Sequence, residues 1–481
     1  MAKKPFFLFD KSAAEGCVPN RELFACATGL AGQNINYSFV TGWLFYFCNN
    51  ILKIDAEKVG LITSISRVWD SVNDPLIGGF IDKRRCKSGE KLRPYLLKTP
   101  LLIGLFSTVI FFDFGLSQTA ALFFVLVAYL LWDMFYSVQD VALWGMVPMS
   151  SPLSHERARV SQWVSIGAGA GGAIAGIFPL IKDVMIGSMG MKESTVFAVW
   201  AVIFAFGGEV LSMSAYKMKE RVHSEAPKES IFDAIFMLRH NKTLILISLA
   251  RFFSSVTLTV PWPYFFESQV SYTIGSTVIN GGTAQFVYGL LVGIPGALCL
   301  FATTKFADKV GGMKRLLIVA QISKIVSRIA AYLIGFNTLP KLLLGMLIVA
   351  ISNIPEYMMD IAHRSLTSDS IDFVEWKTGK RTEGISFSIQ NFITKIASAA
   401  TLYINGKLLD ILRYDQYKPM TEQNPTFMKW QWPMFILGPI TGSLAYLLFI
   451  SLINDKKDDK LRIELELKKR RKEFEQEKQS V

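Results

Sequence analysis

The sequence is poor in charge and in the side chains that build metal and disulfide centres. Charged residues make up 19% of its 481 residues, and it holds 4 His and 5 Cys. The cysteines are odd in number without a shared pairing or metal spacing, and no two histidines stand at ligand spacing. The sequence also lacks a nucleophile with its base and a phosphate-binding loop. We therefore expect neither an enzyme nor a bound cofactor.

Long apolar stretches are abundant instead. Hydrophobic residues account for 51% of the chain and the mean hydropathy is +0.33, which excludes an ordinary soluble enzyme. A helix of about 20 residues crosses the hydrocarbon core of a bilayer. We therefore predict an all-α, multi-pass membrane protein with twelve transmembrane helices, near residues 24–51, 59–81, 95–115, 120–148, 160–186, 195–216, 243–266, 284–304, 315–336, 341–362, 384–410 and 431–453.

The net charge of +12 arises from basic residues that are grouped in alternate loops. Such groups follow predicted helices 2, 4, 6, 8 and 10, as the run from Lys83 to Arg93 does after helix 2. By the positive-inside rule these loops and both termini are cytoplasmic, and the protein lies in the cell membrane. The charge thus indicates topology, and no nucleic-acid partner is predicted.

Predicted helix 2 carries two carboxylates inside an apolar segment. Arg67, Asp70, Asn73 and Asp74 recur at helical spacing and fall on one face. Ionisable groups at membrane depth are costly and normally face a partner or an ion path. A structural ion pair between Arg67 and Asp70 is the alternative, although a pair needs one acid and this face has two. The stripe predicts an ion or substrate site.

Predicted helix 4 carries a second polar stripe, formed by Asp133, Ser137, Asp140 and Trp144. Asp140 is a candidate third carboxylate beside the two of helix 2. Trp144 offers a flat apolar surface with an N–H donor, which suits stacking on a sugar ring. The alternative for Trp144 is an interfacial anchor, the commoner role of a membrane tryptophan.

Two other predicted helices have distinctive compositions. Helix 1 is rich in hydrogen-bonding side chains, which either line a cavity or join helices: Gln33, Asn34, Asn36 and Tyr37. Helix 5 contains a run of Gly and Ala over residues 167–173, which predicts the close approach of another backbone.

The two halves of the chain resemble each other. An acid followed by bases ends helix 2, at Asp82 and Arg85, and recurs after helix 8, at Asp308 and Arg315. This recurrence indicates two six-helix repeats. The pattern resembles the cytoplasmic signature of the major facilitator superfamily, which implies a fold of two pseudo-symmetric six-helix bundles.

This organisation divides the chain into four parts. We expect an N-terminal bundle with the cation site over residues 1–220, a cytoplasmic linker over 221–242, a C-terminal bundle over 243–454 and a charged cytoplasmic tail over 455–481. The loop after helix 10, which includes Arg381, has the alternating charges of a surface helix. We expect it to form a cytoplasmic latch with the basic loops and the acid-base turns.

Four cations lie at membrane depth in the second half, which is an unusual placement: Arg251, Lys324, Arg328 and Lys395. They either pair with intramembrane acids or face the cavity; the candidate acids are Glu209, Glu356 and Asp360. We expect structural pairing for the two cations of helix 9 and cavity exposure for Arg251 and Lys395. Cations in the cavity would form charge-assisted bonds to an acidic substrate.

Together these residues resemble the glycoside-pentoside-hexuronide cation symporter family of the major facilitator superfamily. The resemblance is carried by residues 70–75, 89–94, 140–144 and 369–395, and it covers most of the twelve-helix region. It implies secondary active, cation-coupled symport of a sugar or glycoside by alternating access. An acidic uronide or oligosaccharide fits the cations of the second half.

The resemblance also implies residue roles. Asp70, Asp74 and Asp140 would bind the coupling ion, Na+ or H+, with Asn73 as a nearby oxygen ligand; for Na+ the three acids are the metal ligands. The tryptophan of helix 4 and the lysine of helix 11 imply substrate contacts at Trp144 and Lys395. The full candidate substrate set is Asn34, Tyr37, Trp144, Arg251 and Lys395.

Two departures from the family pattern leave the substrate open. Asn34 stands where a well-studied member has an acid, and Gly167 stands in the region of an arginine. The sequence therefore has the residues of the family's cation site, whereas the residues of its sugar site differ. The alternatives are a lysophospholipid-type lipid carrier on the same scaffold and a non-transporting sugar sensor. We expect a monomer whose partners are a small sugar or glycoside and membrane lipid.

Overall fold

The structure is a computed structural model. It describes residues 17–83, 90–222, 241–274, 277–299, 302–378 and 383–454, with 462–463, 465–467 and 469 of the tail. Some side chains within these helices, including those of Asp74 and Asp82, lie outside the described part. Most of the predicted linker and tail lies outside it as well.

The first half of the chain is a succession of helices. They are α1 (Asn20–Tyr46), α2 (Ala56–Lys83), α3 (Tyr95–Ile110), α4 (Gln118–Met149), α5 (Ser154–Ala175), α6 (Phe178–Gly187), α7 (Glu193–Trp200) and α8 (Gly207–Ser212). π-Helical turns follow α1 over Phe47–Ile51 and α7 over Ala201–Phe206, and a 3-10 turn follows α8 over Met213–Lys217.

The second half adds a short hairpin to the helices. Its elements are α9 (Lys242–Ser255), α10 (Trp262–Gln269), β1 (Tyr272–Ile274), β2 (Thr277–Ile279), α11 (Gly281–Cys299), α12 (Thr303–Val310), α13 (Met313–Ile334), α14 (Leu339–Thr378), α15 (Glu383–Ile411), α16 (Pro425–Leu437) and α17 (Ser443–Ser451). The strands pair antiparallel, with Tyr272 opposite Ile279. Short 3-10 turns occupy Met420–Glu422 and Gly438–Ile440.

Several helices begin or end at residues suited to that position. Ser117 precedes α4 and accepts from the backbone N–H of Ala120 at 3.5 Å, while Asn241 precedes α9 and accepts from Leu244 N–H at 2.9 Å. Gly311 ends α12 with a left-handed φ of 92°. The turn between α12 and α13 therefore depends on glycine.

The helices overlap the predicted membrane spans. Each of the twelve predicted spans overlaps one or two of them. Within the described ranges, 6 helical segments are long and apolar enough to cross a membrane: Gln118–Met149, Arg159–Gly187, Glu193–Lys217, Met313–Ile334, Leu339–Lys377 and Pro425–Ser451. The prediction of an all-α membrane protein is confirmed.

The chain folds into two compact units. Unit 1 comprises Met1–Ala226, Pro261–Val287 and Leu409–Met428, and unit 2 comprises Pro227–Val260, Tyr288–Leu408 and Lys429–Val481. The first boundary falls in the predicted linker. Two segments of the range predicted for the second bundle, one around α10 and one between α15 and α16, thus pack with the helices of the first half.

Glycines set the approach of α5 to α1. A Cβ added at Gly167 would lie 2.0 Å from the carbonyl oxygen of Ala27, and one at Gly171 would lie 2.2 Å from that of Ala31. Both contacts advance by four residues in the same chain direction, so the two helices run parallel. The close backbone approach predicted for this glycine run is confirmed.

Each unit has its own apolar core. In unit 1, Leu30, Leu143, Met146, Val160 and Val164 are fully buried in one cluster that joins α1, α4 and α5. In unit 2, a cluster that joins α9, α13, α14 and α17 is centred on Ile247, Leu317, Met358 and Tyr446. These cores fix the helices that carry the polar side chains described next.

Candidate functional site

The polar stripe of α2 is buried on one face of the helix. Asp70 and Asn73 are each 6% exposed, whereas Val72 and Leu76 on the other side are 51% and 65% exposed. Arg67 Nη1 lies 3.9 Å from Asp70 Oδ2. The ion pair considered as an alternative to a site therefore exists, but it is long and leaves Asp70 with further partners.

Asp70 and Asp140 each accept a hydrogen bond from another helix. Ser137 Oγ of α4 donates to Asp70 Oδ1 at 3.2 Å, and Gln33 Nε2 of α1 donates to Asp140 Oδ1 at 3.1 Å. Two carboxylates thus join α1, α2 and α4 inside unit 1. We call these four residues, with Asn73, the carboxylate network.

The carboxylate network supplies oxygen ligands of the kind that hard cations prefer. Gln33 Oε1 and Asn73 Nδ2 are buried, and neither forms a hydrogen bond within the described residues. No cluster of three or more His, Cys, Asp or Glu that could hold a metal occurs among the described side chains, and that of Asp74 is not one of them. The site of three carboxylates stays a prediction.

Stacked aromatic rings of α1 and α4 adjoin the carboxylate network in sequence. The ring of Tyr136 lies 5.2 Å from that of Tyr37 and 5.2 Å from that of Trp132, and both pairs are stacked. Tyr37 was predicted as a substrate residue, whereas Tyr136 and Trp132 were missed. Their spacing of four and eight residues before Asp140 was the available signal, since it places them on one helical face.

Two predicted substrate residues lie apart from this stack. Trp144 is 44% exposed and joins no aromatic stack in the described part of the chain. Asn34 is half-buried and its Nδ2 donates to the carbonyl oxygen of Leu30 in its own helix at 2.9 Å. Neither observation tests a role in substrate binding, so both roles stay predictions.

Asn36 joins helices. It is fully buried, its Nδ2 donates to Ser107 Oγ of α3 at 2.8 Å, and its Oδ1 accepts from Trp132 Nε1 of α4 at 3.0 Å. For this residue, the structural alternative considered for helix 1 is the one observed.

The cations of unit 2 differ in their partners. Lys324 Nζ lies 2.6 Å from Glu356 Oε1, so its predicted structural pairing is confirmed. Arg328 was expected to pair with an acid, but its Nη1 donates to the carbonyl oxygen of Ile436 at 3.4 Å and no carboxylate among the described residues pairs with it. A buried backbone carbonyl at the end of α16 replaces the acid.

Arg251 and Lys395 were expected to face a cavity. Arg251 Nη2 lies 3.4 Å from Asp360 Oδ1, and Arg364 Nε lies 2.9 Å from the other oxygen of that carboxylate. Arg251 Nη1 also donates to Gln390 Oε1 at 3.5 Å. Lys395 is half-buried on α15. Arg251 is thus an ion-paired residue that shares its acid with a second arginine.

Glu209, one of the three candidate acids for these cations, lies in unit 1 with neutral partners. Its Oε2 accepts from Gln139 Nε2 at 2.6 Å and from Ser212 Oγ at 2.9 Å. No ion pair between Glu209 and a cation is observed among the described residues, because α8 places the carboxyl against an amide of α4. The presence of one acid in an apolar span was a signal, but its partner could not be identified from the sequence.

A second buried cluster was missed from the sequence. Lys182 of α6 is 2% exposed, and its Nζ lies 2.6 Å from Glu267 of α10 and 3.2 Å from Glu193 of α7. The Lys182 ammonium also lies 5.3 Å from the ring centre of Tyr46. A lysine at membrane depth was the available signal. We call Lys182, Glu193 and Glu267 the lysine cluster.

The predicted latch is described only in part. Asp308 and Arg315 are exposed on either side of the glycine turn between α12 and α13. The side chain of Asp82 lies outside the described part, and Arg85 and Arg381 are not among the described residues. A latch made by these five residues stays a prediction.

Comparisons with known proteins give a consistent picture. The family model for MFS/sugar transport proteins matches residues 25–454. The chain is 27% identical to a lactose permease of Lactobacillus helveticus over 397 residues, which is 76% of this chain and 58% of the relative's length. It is 24% identical to an isoprimeverose transporter of Lactiplantibacillus pentosus, covering 94% of this chain and 92% of the relative.

The fold also matches a solved structure. The crystal structure of a bacterial homologue of the human lysosomal transporter Spinster superimposes with a TM-score of 0.61 at 12% identity, covering 90% of this chain and 95% of the other. At that identity the match supports the fold alone.

Proposed function

The chain belongs to the family of MFS/sugar transport proteins, and from this premise we propose that it is a secondary active transporter for a sugar or glycoside, driven by a cation. One observation carries the coupling: Asp70, in predicted membrane helix 2, is buried and accepts a hydrogen bond from Ser137 of α4. A carboxylate in that setting marks an ion or substrate path. The lactose and isoprimeverose in the names of two relatives support a sugar as substrate.

The carboxylate network gives this proposal a mechanism. Na+ would bind the oxygens of Asp70 and Asp140, assisted by Gln33 Oε1, or one carboxyl would take a proton. Either event removes a negative charge, so that α2 and α4 pack more closely. If the sugar favours the same packed state, each ligand raises the affinity for the other. The two bundles then rock about the loaded site.

The stacked rings of Tyr37 and Tyr136 support a sugar-binding role. Both residues are half-buried, and the tyrosine hydroxyl adds a hydrogen-bonding group to an apolar ring face. A pyranose presents C–H groups on its faces and hydroxyls at its edge, so such a ring suits it. Trp144, Asn34 and Lys395 remain candidate substrate contacts. The grounds are the resemblance to the symporter family and their positions in the predicted helices.

The arginines of unit 2 support an acidic substrate. Arg251 and Arg364 share the single carboxylate of Asp360, so the group keeps a net positive charge. A carboxylate of the substrate would bind Arg251 through charge-assisted hydrogen bonds. We expect uronic acids to compete for uptake better than neutral glycosides of the same size. Equal competition by both would exclude this refinement but leave sugar transport untouched.

The central experiment is uptake into proteoliposomes. The purified chain is reconstituted and given labelled lactose or isoprimeverose, with an inward Na+ or H+ gradient. We expect accumulation against the sugar gradient in the wild type. Asp70→Asn should abolish it while preserving exchange without a gradient, because the sugar site remains but the ion site is lost.

A matched control distinguishes the loss of a negative charge in general from the loss of the carboxylate at the ion site. Asp113 is an exposed carboxylate outside the network, so Asp113→Asn removes the same charge without touching α2 or α4. Full gradient-driven accumulation by Asp70→Asn would refute the cation assignment. Binding of sugar without any accumulation by the wild type would favour a sensor.

A further inference from the structure

Glu209 is a buried carboxyl that the proposed ion site does not use. It is 1% exposed and lies in the apolar segment Glu193–Lys217. Its hydrogen-bond donors are the neutral side chains of Gln139 and Ser212. None of the lysines or arginines that the structure describes forms an ion pair with it. A carboxylate is therefore held at membrane depth without a compensating positive charge, which disfavours its ionised form.

Gln139 can satisfy Glu209 in either protonation state. Its side chain is 1% exposed and its Oε1 forms no hydrogen bond within the described ranges. Nε2 lies 2.6 Å from Glu209 Oε2, as a donor to a carboxylate. Rotation of the amide by 180° presents its oxygen instead, which would accept from a carboxylic O–H at a distance normal for an O–H···O bond.

The Glu209–Gln139 pair adjoins the carboxylate network on α4, and the helix of Glu209 contacts the helix of Gln33. Gly32 precedes Gln33 on α1, Gln139 precedes Asp140 on α4, and Gly208 precedes Glu209 on α8. A Cβ at Gly32 would lie 2.3 Å from the carbonyl oxygen of Gly208, so α1 and α8 touch through their backbones. The backbone contact of α8 with α1 and the hydrogen bond from Gln33 to Asp140 thus connect the helix of Glu209 to the carboxylate network.

In the described part of the chain, three helices besides its own bring residues near Glu209: α1, α3 and α4. On α4, Tyr136 lies within electrostatic range of Glu209 and Asp140, and also of Tyr37 and the cation Arg67. From α3, Gly104 packs against the Glu209 side chain. α1 contributes the neutral Asn36, whose backbone N–H lies near Gly208. Asp140 is thus the acid that shares a neighbour, Tyr136, with Glu209.

We propose that Glu209 is a proton-binding site of this transporter, held by the amide of Gln139 and coupled electrostatically to Asp140. The ligand is a proton, taken up by Glu209 Oε2 from water and donated in a hydrogen bond to Gln139 Oε1. The role in coupling rests on the proposed function, while proton binding itself does not. Protonation removes the charge at Glu209, so the negative charge at Asp140 becomes easier to maintain and a cation is bound there.

Proton binding can be measured without any substrate. Infrared difference spectra of the purified full chain, recorded between two pH values in H2O and D2O, report the C=O stretch of protonated carboxyls. We expect a band in the wild type that is missing from Glu209→Gln. Glu22 is also a buried acid, but it pairs with Arg221 at 2.7 Å, so Glu22→Gln should keep the band. If the wild type and Glu209→Gln give the same spectra, the proposal is wrong.

The coupling has its own readout. In Asp140→Asn, a neighbouring negative charge is lost, so Glu209 ionises more readily and the midpoint of its band should move to lower pH. An unchanged midpoint would overturn the coupling. Absence of the band from the wild-type difference spectra would mean that Glu209 does not titrate, and would overturn the proposal. Thermal unfolding confirms that each variant is folded. These spectra do not depend on sugar uptake. The proposal that Glu209 binds a proton and the proposal of sugar transport can therefore be refuted independently.

Discussion

At the scale of single residues, Gln33 is the uncharged side chain that we expect to matter most for the ion site. It is 1% exposed and its amide nitrogen donates to Asp140 at 3.1 Å. A hydrogen bond to a charged group contributes about 1.5–3 kcal/mol. We therefore predict that Gln33→Leu raises the cation concentration for half-maximal uptake about tenfold or more, with a smaller effect on the sugar concentration. Uptake at varied Na+ and pH checks this.

Gln321→Leu is the matched control for Gln33→Leu. Gln321 is 0% exposed and bonded to Ser443 in unit 2, so its replacement removes a buried amide far along the chain from the carboxylates. It should leave cation dependence unchanged, whatever it does to stability. The same loss of cation affinity in both variants would mean that Gln33 acts only through the fold.

The sequence predicted the residues of each stripe better than their partners. Asp70, Asn73 and Ser137 are all buried, as helical spacing indicated, because position on a single helix follows from 3.6 residues per turn. The bonds from Gln33 to Asp140 and from Gln139 to Glu209 depend on how α1, α4 and α8 pack. No local pattern encodes that packing.

At the scale of helices, the glycines of α5 determine its fit to α1. A Cβ at Gly167 would lie 2.0 Å from the Ala27 oxygen, whereas one at Gly169 would have nothing within 4 Å. We predict that Gly167→Ala lowers the apparent Tm by several degrees, since overpacking costs about 1–3 kcal/mol. Gly169→Ala makes the same chemical change in the same helix and should be neutral. Thermal unfolding in detergent tests both, and equal effects would contradict the packing described.

The lysine cluster makes a second prediction for helices. Lys182→Met leaves Glu193 and Glu267 without their cation, and breaking such a buried pair costs about 3–5 kcal/mol. The apparent Tm should fall sharply. Lys182→Met combined with Glu267→Gln removes one stranded charge and should recover part of the loss. A double variant no more stable than the single one would show that lysine packing against Tyr46 matters more than the charges.

Sequence analysis located the helices of this cluster but not their association. α6 and α7 belong to the first half and α10 to the second, yet all three lie in unit 1. The periodicity of each helix is a local property, and the division of the chain into two repeats follows from motifs at loop ends. Contacts that join segments far apart in sequence arise from complementary charge in the folded chain, as between Lys182 and Glu267.

For the whole molecule, the basic loops predict orientation. Asp113 lies between α3 and α4 and Lys309 lies in α12, and both are exposed. In intact cells, a membrane-impermeant maleimide should label Asp113→Cys at once and Lys309→Cys only after the membrane is opened, because basic loops stay inside. The unsubstituted chain gives the background of its own cysteines. Labelling in the opposite order would invert the topology.

The coupling of ion and sugar makes the last prediction, for the complete transporter. If both ligands favour one packed state of unit 1, the factor by which saturating cation raises sugar affinity must equal the factor by which sugar raises cation affinity. We expect a factor of about 5–150, measured by equilibrium binding of labelled lactose at zero and saturating cation, and of the cation with and without lactose.

Two variants test which carboxyl groups produce this coupling. Asp70→Asn should bring both factors to about one, because linkage requires an ion that distinguishes the two states. In Glu209→Gln the two factors should still be equal, but their value should no longer change with pH. The reason is that protonation of Glu209 alters the electrostatic potential at Asp140. If the wild-type factor is one, the buried carboxylates of α2 and α4 do not couple cation binding to sugar binding. Their role would then be to stabilise the fold of unit 1.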